Sequence, residues 1–123
     1  MEQIKAYLEQ LATISKEDWD FFTSKLQRQV IPKKTIFLKV NEIENTISFV
    51  ESGVVRLFMP KENPDKEITF GFSFNNQFIS AYDSFLTQKP SAYQLQALTE
   101  TTLLSITHSD LQDVYKTTQI GNL

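Results

Sequence analysis

Residues Ser80–Glu100 read SAYDSFLTQKPSAYQLQALTE. The order of parts is a short helical turn, a loop, a Pro90-Ser91-Ala92 step, and an alternating strand. Between Ser80 and Ala92 the only cation is Lys89, and there is neither glutamate nor glycine. What such a turn can hold depends on the chain around it.

Upstream, the period is that of strands. TISFVESGVVRLFM (Thr46–Met59) is two β-rich runs around Gly53 and reads as a hairpin. Asn63-Pro64-Asp65 is a turn signal. KEITFGFSF resumes alternation and puts Ile68, Phe70, Phe72 and Phe74 on one side. Downstream, AYQLQAL and TLLSI are two further strands, with Thr99–Thr101 turning between them. THSDLQDVYK then reads as a capped short helix, with Thr107 or Ser109 as N-cap. At the other end, Ile4, Leu8 and Leu11 repeat at helical spacing. A second helix starts at Ser15, with Glu17 and Asp18 in its first turn, where negative charge suits the dipole. Trp19, Phe22 and Leu26 form its apolar face, and Pro32 ends the helical region. Helices, then six to eight short strands, then a helix point to a small sandwich or jelly roll, mainly β with flanking helices.

The chain has 123 residues, the size of one domain, and 41% hydrophobic content is enough for one core. Ten Phe, four Tyr and one Trp supply much of it. A net charge of −3 argues against nucleic-acid binding by this chain alone, because phosphate contacts need a basic face. With no cysteine there is no disulfide, thiolate nucleophile or iron–sulfur ligand. His108 is the only histidine, so no zinc site is read, and no Ser-His-Asp set is implied. The only methionines are Met1 and Met59, and the reading includes no haem. Glu42, Glu44 and Glu51 read as a solvated face, as do Glu62, Asp65 and Glu67 around their turn. Lys33, Lys34 and Lys39 make a small basic surface patch. Glu2, Lys5 and Glu9 interrupt any signal-like apolar run, and nothing approaches the roughly 20 apolar residues of a membrane span. The expectation is a cytoplasmic protein with no catalytic residues, no metal and no membrane contact.

The order of elements resembles the cyclic-nucleotide-binding sensor domain of the Crp/Fnr transcription regulators over nearly the whole chain. FVESGVVRLFM is similar to the family's strand pair with its Gly turn. FGFSFNNQFISAYDSFL is similar to its strand, tight turn and phosphate-cassette helix. PSAYQLQALTETTLLSITHSDLQDVY is similar to the cassette's last strand pair and the helix after it. The resemblance implies a double-stranded jelly-roll β-barrel. Residues 1–29 would be N-terminal helices, 30–106 the barrel with its cassette at 78–92, and 107–123 the start of a C-terminal helix.

Nucleotide-binding members carry Gly-Glu-Leu, several residues, then Arg-Ser/Thr-Ala in the cassette. The Arg fork pairs with the cyclic phosphate and the Glu holds the ribose hydroxyl. On that pattern the Gly position falls at Ser80, the Glu position at Ala81, the Arg position at Ser91, and the small residue after it at Ala92. Losing a charge-assisted bidentate contact costs about 2–5 kcal/mol, more than tenfold in affinity. Cyclic AMP binding is therefore not carried over. The candidate ligand-binding residues are Ser80, Ala81, Tyr82, Asp83, Ser84, Lys89, Ser91 and Ala92. Ser80, Ser84 and Ser91 could offer hydroxyls and Lys89 a point charge, while Tyr82 and Asp83 are nearby polar handles.

Two functions are compatible with this pattern. One is a sensor domain taking an unidentified small-molecule effector. The other is a protein-interaction module with a collapsed, ligand-free barrel. Tyr82, Phe85 or Tyr93 filling the pocket would favour the second; an open polar cavity beside Ser91 would favour the first. The family's helix-turn-helix domain is not in these residues, so DNA contact is implied only through a domain outside this chain. A homodimer through barrel faces or N-terminal helices stays open.

Overall fold

The computed structural model describes residues 2–11 and 13–120. The elements run α1 (Glu2–Glu9), α2 (Lys16–Ser24), β1 (Gln27–Ile31), β2 (Ile36–Leu38), β3 (Thr46–Ser52) and β4 (Val55–Met59). A 3-10 turn at Pro64–Lys66 precedes β5 (Ile68–Ser73), β6 (Phe78–Ile79), α3 (Tyr82–Thr87), β7 (Gln94–Ala97), β8 (Thr101–Thr107) and α4 (His108–Thr117). Two antiparallel four-stranded sheets form, in the orders β1-β8-β3-β6 and β2-β7-β4-β5. This is the expected jelly roll with flanking helices.

The caps explain where the helices start. Ser15 accepts from the Asp18 N–H at 3.1 Å, and Thr107, not Ser109, accepts from Asp110 at 3.1 Å. Asn63 accepts from the Asp65 N–H and opens the 3-10 turn. β1 pairs with β8 from Gln27 onward, so the barrel starts three residues before the expected boundary at 30. Helix α2 accordingly ends at Ser24, well before Pro32, and Leu26 lies past its end. Leu11 likewise lies beyond α1 and is exposed. The expected helical start across 107–123 is α4; residues 121–123 lie outside the described residues.

In the first sheet β1 is largely exposed, whereas the middle of β3 and most of β8 are buried on both faces. Phe49, Leu104 and Ile106 point outward and pack with Ile4, Leu8, Phe22 and Val114 of the helices. Val50 and Leu103 point inward and pack with Val55 and Leu95 of the second sheet. Each such side chain contributes about 1.5–3 kcal/mol when fully buried. Inside, Ser48 and Ser105 sit opposite each other in the β3–β8 ladder and share a hydrogen bond of 2.7 Å.

Two expectations about strands fail. The runs around Gly53 are not a hairpin, because β3 and β4 lie in different sheets and the chain turns a corner between them. Gly53 takes φ +118° there. The stripe Ile68–Phe74 does not stay on one face. Leu57 pairs with Gly71 and Phe58 with Thr69, which leaves Phe70 as an extra residue in a bulge. Phe72 pairs with Arg56 on the outer face, beside Phe74 at 6.2 Å between ring centroids. Phe70 instead meets Tyr93 edge-on at 4.8 Å. All four residues are about half exposed, so these aromatics are not core.

The solvated reading holds for Glu42, Glu62 and Asp65, which are exposed, and fails for the other three acidic residues. Glu51 forks onto Arg28 at 2.7 and 3.0 Å, and Glu67 pairs with Arg56 at 3.3 Å. Glu44 is buried. Each carboxylate meets a partner from another strand or loop, which sequence distance hides. His108 begins α4, bonds its N–H to the Asn45 carbonyl, and packs edge-on against Phe85 at 5.2 Å.

Candidate functional site

Helix α3 carries the chain from the edge of the first sheet to the second and lies across the barrel end. Its N-cap is Ala81, which has no capping side chain. The missing acceptor comes from elsewhere. The Glu44 carboxylate, 37 residues back in sequence, accepts from the Ala81 N–H at 3.3 Å. The same carboxylate accepts from the Thr46 N–H at 3.2 Å and the Thr46 hydroxyl at 3.3 Å. The N–H that opens α3 thus holds an internal group of this chain, the Glu44 carboxylate. The Tyr93 ring packs on the inter-sheet core.

The hydroxyls are engaged as well. Ser80 is fully buried and donates to the Thr46 carbonyl at 2.8 Å. Ser84 accepts from the Glu44 N–H at 2.9 Å and donates to the Lys89 carbonyl at 2.5 Å. Ser91 donates to the Tyr93 carbonyl at 2.8 Å and accepts from the Tyr93 N–H. The backbone around Ser91 is pinned twice, by Asn41 N–H to Ser91 carbonyl at 2.9 Å and Ser91 N–H to Glu42 carbonyl at 2.8 Å. Gln88 closes α3 in the left-handed region at φ 56°, with its side-chain amide donating to the Phe85 carbonyl at 2.7 Å.

The structure therefore divides the sequence candidates. Ser80, Ala81, Ser84 and Ser91 are buried together under α3; Tyr82, Asp83, Lys89 and Ala92 are exposed. Two residues outside that candidate set, Glu44 and Tyr93, hold the centre of the site. Tyr93 was legible as a pocket-filling aromatic. Glu44 had no local signal, since its partner lies 37 residues away.

Burial raises the Glu44 carboxyl above the ordinary range, and the bonds from Ala81 and Thr46 only partly oppose it. Burial also raises the Tyr93 hydroxyl, with the Asp83 charge adding to it. A carboxyl with a raised folded pKa holds its proton more tightly in the folded state. Its contribution to stability is complete below the unfolded pKa, near 4.3, and is lost as pH rises through the folded value. Stability therefore falls from about pH 4 upward by at most about 1.4 kcal/mol per pH unit for this one group. Glu44→Gln flattens that part of the curve. Urea midpoints from pH 3 to 8 for both proteins check it, and parallel curves would sink the assignment.

Among the described residues no cluster of three or more His, Cys, Asp or Glu could hold a metal, and no helix is long and apolar enough to cross a membrane. The sequence model of the cyclic nucleotide-binding domain matches residues 28–118, from β1 through α4. The chain belongs to the cyclic nucleotide-binding domain family. The match covers both sheets and α3. A comparison with the curated proteins finds no match. Among solved structures, the catabolite activator protein of Thermus thermophilus is similar at a TM-score of 0.71 and 22% identity, over 83% of this chain and 47% of that one. The sensor domain of the Pseudomonas aeruginosa transcriptional regulator DNR is similar at 0.71 and 11%, over 85% and 69%. The N-terminal domain of a transcriptional regulator from Streptomyces coelicolor is similar at 0.69 and 20%, over 85% and 71%. This chain thus spans about half the length of the Thermus protein. At these identities the likeness is one of fold. The expected jelly roll and the family resemblance both stand.

Proposed function

We propose that this chain is the effector-sensing domain of a Crp/Fnr-type transcription regulator whose barrel does not take a cyclic nucleotide. One observation carries the reading: the Ala81 N–H at the start of α3 is held by the Glu44 carboxylate of the chain itself. A phosphate arriving there meets a buried carboxylate rather than an arginine fork. Ser91 at the Arg position turns its hydroxyl back on the Tyr93 carbonyl. The domain is a binding module without catalysis, acting in the cytoplasm by shifting the placement of α4 and of the regulator's DNA-binding part. DNA contact and dimerisation belong to the assembled regulator. The interaction-module reading keeps a specific support, since the Tyr93 ring packs on the inter-sheet core and against Phe70.

Isothermal titration calorimetry with cyclic AMP and cyclic GMP at millimolar ligand tests this. The expected result is no saturable heat. Micromolar binding of either nucleotide would show that Glu44 yields the Ala81 N–H, and the reading would fall.

A further inference from the structure

On the helix-covered face of the first sheet, a cavity of about 320 Å³ opens between α1, α2, α4, the start of α3 and the sheet. Its floor includes Leu8, Phe22, Ile106 and Ile120, all buried and all apolar. Its rim carries Tyr7, Tyr82 and Tyr115, which are 39%, 41% and 48% exposed. All ten lining residues are uncharged. An apolar cavity of about 150 Å³ takes one benzene ring, so this one has room for roughly two. Its size lies at the lower end of small-molecule sites, which pair apolar walls with a few polar groups. An ionised ligand would have no counter-charge in the lining, and unpaired burial of charge is costly.

We propose that this cavity binds a small uncharged molecule with an apolar body of about two rings and one hydrogen-bonding end, the body on the Leu8–Ile106 floor and the polar end among the three phenols. This rests on the reading of the domain as an effector sensor, and it moves the effector from the barrel to the helical side. The geometry supplies a route between the two. Tyr82 lines the cavity and is the first residue of α3, next to Ala81, whose N–H the Glu44 carboxylate holds. A molecule seated against Tyr82 and Tyr115 touches both α3 and α4.

The probes are 1-naphthol, which is neutral at pH 7, and naphthalene-1-sulfonate, its charged counterpart. The first should bind at one site with Kd on the order of 100 µM or tighter, a fair affinity for so small a ligand. The sulfonate should bind at least tenfold more weakly. In NMR titrations the shifts should fall on Ile47, Ile106 and Ile120, not on Leu57 and Leu95 inside the barrel. Leu111→Trp fills the cavity and should weaken 1-naphthol at least tenfold. Tyr115→Ala, at an exposed rim position that spares the fold, should weaken it at least threefold and serves if Leu111→Trp does not fold. No saturable binding, shifts confined to the barrel interior, or wild-type affinity in the folded variants would overturn the proposal. So would sedimentation showing that 1-naphthol merely dissociates a dimer, which would make the cavity an interface between copies. Binding of cyclic AMP in the barrel would sink the earlier reading while leaving these results to be judged separately.

Discussion

Gly53→Ala lowers the stability of the domain by about 2–6 kcal/mol. A Cβ at this corner would stand 2.4 Å from the Thr101 hydroxyl oxygen and 2.7 Å from the Thr101 Cα. The second distance is to backbone of β8, so no rotamer change relieves it. The φ of +118° adds strain of its own, because L side chains avoid that region. Backbone strain costs about 1–3 kcal/mol and overpacking about the same again. Nor can the corner swing out freely. The Gly53 N–H donates to Asn75 at 2.7 Å, and Thr101 is fully buried with its hydroxyl on the Thr99 carbonyl. Urea unfolding of both proteins gives the difference at constant m-value. A loss below about 1 kcal/mol would mean that the corner between the sheets relaxes and does not set their spacing.

Phe49→Ala costs about 3–5 kcal/mol, by lost transfer energy plus the hole it leaves. Phe49 has no exposed surface and stands edge-on to Phe78 at 5.2 Å and to Tyr7 at 6.3 Å. Those ring pairs push the loss toward the upper end. It also joins β3 to α1, since Tyr7 meets both Phe49 and Phe78. Phe72→Ala is the matched control. Phe72 is 49% exposed on the outer face of an edge strand, and its loss should stay within about 1 kcal/mol. Against a typical total of about 5–15 kcal/mol, the first variant is badly destabilised and the second is not. Equal losses would contradict the burial that separates these two phenylalanines.

That contrast also marks what the chain reveals before folding. Ser15, Thr107 and Asn63 announce their elements because capping is local: donor and acceptor lie two or three residues apart. The alternation in β3 and β8 is equally local, and from it the jelly roll is legible. The stripe at Ile68–Phe74 misleads because the extra residue at Phe70 depends on β4 opposite it, which the stripe itself does not encode. The two runs around Gly53 read as a hairpin because sequence records their proximity and not the sheet each one joins. At the site, the loss of an arginine at Ser91 is visible in the chain, whereas the arrival of Glu44 under α3 is not. It needs the β2–β3 loop and the cassette to be folded against each other, which the paired bonds at Asn41, Glu42 and Ser91 secure.

Burial on both faces of β3 and β8 has a further consequence, for how β3 finds its place. In a sheet with one wet face, a one-residue slip exposes every apolar side chain, and water rejects it. Here a slip of β3 against β8 would move Phe49 and Ile47 from the helices into the barrel and Val50 the other way, from one dry layer to another. Solvent barely penalises that error. The Ser48–Ser105 hydrogen bond does, because it exists only in the native alignment and sits where neither hydroxyl can reach water. An unmatched buried hydroxyl costs about 1–3 kcal/mol. Two small polar side chains in an oily interior thus serve as the alignment pin of the sheet.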